Sequence, residues 1–223
     1  AVIRGPDLLQ RTDNPRRTIA DRYVLRGALL DRDNQFINIT EGESGSYKRV
    51  YLYPDLAPIT GYTQPIYGQA GLEATFDNYL RGLQGNPSSL IFWNELVYGT
   101  PPAGLDVRLS IDLNLQAKAD QLLQDNSGAI VLINAETGEI LVMASHPTYD
   151  PNTMEAEGDS LSQDESSPLL NRATQGLYPV GSALRPLLQA KFGATQPSNI
   201  DLRMFYENLG FFQTPAINMP VSS

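Results

Sequence analysis

The order of apolar and polar positions divides the chain into short runs with different periods. Ala28-Leu29-Leu30 and Phe36-Ile37-Asn38-Ile39 flank Asp31-Arg32-Asp33-Asn34. Asp33-Asn34 tolerates the positive φ of a tight turn, so the segment predicts a β-hairpin. Tyr47 to Tyr53 is aromatic and β-branched and predicts a further strand, ended by Pro54. Gly61 to Gly71 reads as loop. From Leu72 to Leu83 the period changes: Leu72, Phe76, Leu80 and Leu83 follow helical spacing, and Gly82 and Gly85 supply the stop.

Gly99-Thr100-Pro101-Pro102-Ala103-Gly104 marks a linker, and a second module is expected beyond it. There Val107, Leu109 and Ile111 alternate as a strand. Asp112 is placed to cap a helix whose Leu115, Ala119, Leu122 and Leu123 share one face. Gly128 to Asn134 predicts a buried-type strand, turned back at Ala135-Glu136-Thr137-Gly138 onto a partner over Glu139 to Ser145. Glu155 to Ser167 is acidic and Ser-rich and predicts an exposed, mobile loop. A helix over Ala183 to Lys191 would bury Leu184, Leu187 and Leu188, with Ser182 at its start and Pro186 in its first turn, where a missing amide costs little. The first ~27 residues, with Arg11-Thr12-Asp13-Asn14-Pro15-Arg16-Arg17, lack either period and read as a connector.

Composition narrows the chemistry. With 223 residues, 41% of them apolar, the chain can bury a substantial core. A net charge of -9 excludes nucleic acid as a partner, because phosphate binding draws on clustered Lys and Arg. The chain has no Cys and one His, His146, which removes thiol nucleophiles, disulfides and Cys/His zinc sites. A Ser-His-Asp triad would have to recruit His146, and nothing around it resembles a nucleophile elbow, so a structural role is expected. No apolar run approaches the ~20 residues of a membrane span, and no signal peptide opens the chain. Taken alone, Ser182 after Pro179-Val180-Gly181 reads as a helix cap. The same place also suits a nucleophile, since a helix N-terminus stabilises developing negative charge.

Several blocks stand in a fixed order: Arg26-Gly27-x-x-x-Asp31-Arg32, Tyr53-Pro54, Gly61-Tyr62 and Gly71-Leu72-Glu73, then Leu109-Ser110-Ile111-Asp112-x-x-x-Gln116. They continue with Gly128-Ala129-Ile130-Val131, Thr137-Gly138-Glu139-Ile140-Leu141, Ser145-His146-Pro147-x-x-Asp150-Pro151-Asn152 and Asn171-Arg172-Ala173, and end at Tyr178-Pro179-Val180-Gly181-Ser182. In this order the chain resembles the class B penicillin-binding proteins, the serine transpeptidases that cross-link peptidoglycan, particularly the smaller actinobacterial-type members. The resemblance implies an α+β fold. A small, mostly-β pedestal or dimerisation-like region over 1-104 would precede the opening part of a transpeptidase domain over 105-223, an antiparallel sheet of five strands between helices. It also implies location on the outer side of the cytoplasmic membrane, with an N-terminal anchor upstream of Ala1.

By the same resemblance Ser182 is the nucleophile, and the lysine of the family's Ser-x-x-Lys tetrad is replaced by Arg185. That lysine accepts the serine proton, and a guanidinium stays protonated and offers no lone pair. Two further family motifs, Ser-x-Asn and Lys-Thr-Gly, are not found. Pro197-Ser198-Asn199 is the nearest candidate for the first, and neither Lys118 nor Lys191 is followed by Thr-Gly. The expectation is therefore a penicillin-binding-protein homologue of peptidoglycan synthesis and cell division with a degenerate or incomplete site. The alternatives are a fragment of an active transpeptidase acylated at Ser182, or a non-catalytic envelope interaction module. Expected partners are other cell-wall synthesis or division proteins, with a peptidoglycan stem peptide or a β-lactam as ligand of an active site. No metal or organic cofactor is implied.

Overall fold

A computed structural model describes residues 21–99, 102–179, 181–193, 195–213 and 217. The connector expected over the first ~27 residues lies outside them up to residue 20; from residue 21 the expectation fails, because Val24 and Arg26 are buried in the first unit. The chain divides into two compact units, residues 1–173 and residues 174–223.

In the first unit the predicted turn forms as read. Asn34 takes φ 64°, and the Asp31 carboxylate accepts the amides of Asp33 and Gln35, each at 2.8 Å. Strand β1 (Leu29–Leu30) contacts the returning chain through a single antiparallel bridge from Leu30 to Phe36. Strand β2 (Asn38–Glu41) instead pairs antiparallel with β3 (Lys48–Tyr51), Asn38 opposite Tyr51. The other neighbour of β1 comes from beyond the Gly-Pro linker: β6 (Val107–Arg108) runs parallel to it. Glycine makes that crossing possible. A Cβ at Gly104 would lie 1.8 Å from Leu80 O and one at Gly27 would lie 2.1 Å from Leu105 O, so both positions need a residue without a side chain.

Between these strands, α1 (Ala57–Thr60) is fully buried. The expected loop contains a two-stranded ribbon, β4 (Thr63–Gln64) on β5 (Gly68–Gln69). The single helix expected from Leu72 is two short ones, α2 (Gly71–Thr75) and α3 (Asp77–Leu80), broken at Phe76 with ψ 15°. Leu72 and Leu80 still point into the core, each burial worth about 1.5–3 kcal/mol. A helix that the spacing does not mark, α4 (Ser88–Tyr98), follows.

Beyond the linker, Asp112 caps α5 (Leu113–Leu123) by accepting the amides of Asn114 and Leu115. Ala119 and Leu123 pack with Val142 and Ala144, joined by Leu115 and Ile130. Leu122 is 76% exposed and does not belong to that face. The predicted hairpin is present as β7 (Gly128–Ile133) antiparallel to β8 (Ile140–His146). Its first strand is not buried: α5 covers the Ile130 side, while Val131, Leu132 and Ile133 are exposed. Among the described residues, β7 and β8 are the strands of the second module that pair with each other, while β6 pairs with β1.

The acidic stretch expected to be a mobile loop is a helix, α6 (Met154–Gln163). Met154 and Leu161 enter a cluster with Ala57, Tyr149, Tyr62, Tyr67 and Leu169. Gly158 lies under the Tyr67 ring, whose hydroxyl donates to Asp159 at 2.9 Å. Met154, Gly158 and Leu161 recur at i, i+4 and i+7, a sparse helical face that the acidic composition outweighed.

The second unit contains α7 (Arg185–Phe192) and α8 (Asn199–Asn208). Phe192 meets Phe205 at 5.6 Å between ring centroids, and Tyr206 meets Phe211 at 5.2 Å. Neither helix has a fully buried residue, and the face expected at Leu184, Leu187 and Leu188 is only partly covered.

Candidate functional site

Gly181, with φ 56°, opens a turn that carries Ser182 and delivers the chain into α7. The helix begins at Arg185, two residues later than the expected start at Ala183. Ser182 contributes its backbone carbonyl, which accepts the Arg185 amide at 3.0 Å. Both side chains are exposed and line one open cleft of about 590 Å³ with Gly181, Leu184, Leu188, Tyr206, Phe211 and Phe212. The structure thus brings Ser182 and Arg185 to one surface. Among the residues lining that cleft there is no carboxylate, imidazole or amine, and Arg185 cannot take a proton. The cleft combines a hydroxyl, a fixed cation and an aromatic wall.

The remaining sequence candidates are engaged elsewhere. Ser198 is the N-cap of α8: its hydroxyl accepts the Asp201 amide while its own backbone amide donates to the Asp201 carboxylate, a complete capping box. Lys191 lies in the last turn of α7. His146 is buried; its Nε2 lies 2.9 Å from Asp120 Oδ1 and its Nδ1 lies 3.2 Å from the Gln124 carbonyl. Both ring nitrogens thus face an oxygen. Burial raises the Asp120 carboxyl above its ordinary range, opposed by hydrogen bonds from His146 and Gln116.

The blocks that carried the resemblance prove to be ties between distant segments. Arg26 donates to Asp77 at 2.7 Å and to Glu73 at 2.9 Å. The other Glu73 oxygen accepts from Arg49 at 2.7 Å and from Asn38 at 2.8 Å. Burial pushes the Arg26 guanidinium down, but Glu73 and Asp77 outweigh it and hold it above its usual range. Glu73 and Asp77, four residues apart, both face Arg26. Burial, with Glu73 nearby, likewise raises the Tyr51 phenol.

Asn152 reaches back across the unit. It accepts the Tyr51 amide at 2.9 Å and donates to the Tyr51 carbonyl at 3.0 Å, completing the edge of β3. Gln116 does the same for Met143 in β8, at 3.0 and 3.1 Å. Arg172 donates its amide to Ser145 Oγ at 2.9 Å and its guanidinium to the carbonyls of Ser166 and Ser167. Sequence reasoning quoted these residues without giving them roles. A larger cleft of about 740 Å³ borders this network near Arg49, Tyr51 and Asn152.

Comparison with known proteins agrees with this arrangement. A family model described as the penicillin binding protein A dimerisation domain matches residues 26–107, and one described as the penicillin binding protein transpeptidase domain matches residues 128–191. The peptidoglycan D,D-transpeptidase MrdA of Acinetobacter baumannii is 34% identical over 161 residues, covering 67% of this chain and 24% of that protein. The peptidoglycan D,D-transpeptidase PbpA of Mycolicibacterium smegmatis is 29% identical over 203 residues, covering 82% of this chain and 40% of that protein. Penicillin-binding protein A from M. tuberculosis, solved as an imipenem acyl-enzyme complex, superposes with a TM-score of 0.67 at 28% identity, covering 80% of this chain and 45% of that one. The chain thus spans between a quarter and less than half of these relatives. No helix among the described residues is long and apolar enough to cross a membrane. The ordered blocks, their buried ties and the two domain matches together make this chain a member of the class B penicillin-binding protein family.

Proposed function

We propose that this chain acts in peptidoglycan synthesis and cell division as a penicillin-binding-protein homologue whose serine centre is degenerate, serving as an extracytoplasmic scaffold. One observation carries the reading. The cleft around Ser182 contains Arg185 where the family has its lysine, and no lining residue can accept the serine proton. A serine hydroxyl is a weak nucleophile without an adjacent base, and a positioned base contributes about 10²–10⁴ in rate. Arg185 retains positive charge at that place and is suited to hold a carboxylate.

In this proposal residues 1–104 form the pedestal and 105–223 begin the transpeptidase domain; the dimerisation-domain match, 26–107, runs through the Gly-Pro linker, and the transpeptidase-domain match begins at 128. Partners are other proteins of cell-wall synthesis or division. A stem peptide or a β-lactam, like the imipenem bound covalently in the mycobacterial relative, is a ligand of Ser182 only if the site acylates.

The test is labelling with a fluorescent penicillin, read for the native chain, Ser182→Ala and Arg185→Lys. The expected result is no Ser182-dependent label on the native chain. A gain in Arg185→Lys assigns the block to the arginine, and no gain assigns it to other groups. Labelling of the native chain that disappears in Ser182→Ala overturns the proposal in favour of an active transpeptidase.

A further inference from the structure

Strand β3 has an unfinished edge. Its ladder with β2 sets Ile39 opposite Val50 and Thr40 opposite Arg49. Main-chain groups face the two edges of a strand alternately, and Asn152, outside the ladder, bonds both the amide and the carbonyl of Tyr51. Tyr47, Arg49 and Tyr51 therefore turn their main chains to the outer edge. At Tyr47 the amide donates to the Arg22 carbonyl at 3.3 Å, and the same carbonyl accepts the Gly45 amide at 2.9 Å. Between these two plugs the amide and carbonyl of Arg49 have no partner among the described residues. Arg49 lines the cleft of about 740 Å³ together with Arg22, Lys48, Ile66 and Asn152, a volume inside the ~300–1,000 Å³ range of ligand sites.

We propose that this cleft takes a short, extended, acidic peptide segment of another protein, whose main chain pairs with Arg49 and completes the edge of β3. The open edge selects a peptide. In strand addition one residue presents both an N–H and a C=O to the edge, as the Asn152 side-chain amide already does for Tyr51. A lone carboxylate or phosphate could answer only the Arg49 amide. The rim selects the acid. The buried charges of Arg26 and Arg49 are matched by Glu73 and Asp77, whereas the exposed side chains of Arg22 and Lys48 have no ion-pair partner among the described residues. Against these two the cleft sets Glu155 and Asp21, and Asp21 is tied to Arg81. That local excess of cations, in a chain of net charge -9, complements an anionic partner. A second copy fits poorly, because edge-to-edge pairing about a two-fold axis would set Arg22 and Lys48 against like charges. The plugs at Tyr47 and Tyr51 also confine the pairing to a short segment and protect the edge from open-ended strand growth.

Whether Ser182 acylates has no bearing on this site, and its test reads binding alone. The probe is the capped pentapeptide acetyl-Val-Glu-Val-Glu-Val-amide, titrated into the isotope-labelled full chain while amide shifts are followed by nuclear magnetic resonance. The Arg49 amide should move downfield as its new hydrogen bond forms, with a dissociation constant between about 10 µM and 1 mM. N-methylation of every peptide residue, which removes the main-chain donors and keeps the charges, should weaken binding at least tenfold. The lysine counterpart acetyl-Val-Lys-Val-Lys-Val-amide should lose at least as much. So should the acidic peptide on Arg22→Glu combined with Lys48→Glu, both at exposed positions, with unchanged far-ultraviolet circular dichroism. Should that variant fail to fold, the methylated and lysine peptides on the unaltered chain decide the matter. An Arg49 amide that stays in place at about 5 mM peptide overturns the proposal. So does binding that survives methylation, or that holds the lysine peptide equally well, since charge or apolar contact alone would then account for it.

Discussion

In the first unit the fully buried Glu73 accepts from Arg26, Arg49 and Asn38, while Gln116 and Asn152 each satisfy both backbone groups of a strand residue far away in sequence. In the second unit α7 and α8 have no fully buried residue, and their cohesion comes from partly exposed aromatic contacts and one capping box. The residues that announce the family are therefore mostly structural ties. The turn bearing Ser182 stands where nothing comparable fixes it. Removing one partner of a buried ion pair is expensive because it strands the other charge, whereas exchanging lysine for arginine on an exposed turn costs the fold little. A chain under that asymmetry keeps its ancestry legible in the first unit while its chemistry is free to lapse in the second.

The severest challenge to this contrast is Glu73→Ala. It leaves the Arg26 and Arg49 guanidiniums without their shared carboxylate and should cost about 3–5 kcal/mol, read as a lower urea midpoint by circular dichroism. A loss below 1 kcal/mol would show that the network is ornamental. Gln116→Ala orphans the Met143 amide and carbonyl and should cost at least about 2 kcal/mol, at 1–3 kcal/mol for each unsatisfied buried group. Ser198→Ala, in the second unit, should cost about 1 kcal/mol of local helix stability and leave the midpoint of the first unit unchanged. A shared loss would mean that the two units unfold together.

The smallest effect expected is one of pH. Asp120 is raised in the folded state by burial, so its contribution is complete at acid pH and declines as pH rises past the ordinary carboxylate range. Urea midpoints should drift downward over that window in the native chain and stay flatter in Asp120→Asn. A rise with pH would reverse the assignment.

Much of the first unit was legible because its signals are local. The Asp33-Asn34 turn, the Asp112 cap and the β7–β8 hairpin depend on neighbouring residues. What escaped depends on distant ones. The helix at Met154 was masked by its acids, since its apolar face needs Tyr67 and Tyr149 to be seen. The ties from Glu73 and Asp77 to Arg26, some fifty residues earlier, leave no local mark. The helix at Ser88 has no polar face to give it a period. At the candidate site the order Ser182-x-x-Arg185 was plain, yet the later start of α7 and the aromatic wall from α8 were not, because they arise from packing between two helices.

Hydrogen exchange, resolved along the chain by mass spectrometry, tests the contrast most directly, since protection follows local opening free energy. The account predicts slow exchange in β2, β3, α5 and β8, and fast exchange across the Ser182 turn, α7 and α8. Protection of α7 equal to that of α5 would contradict it.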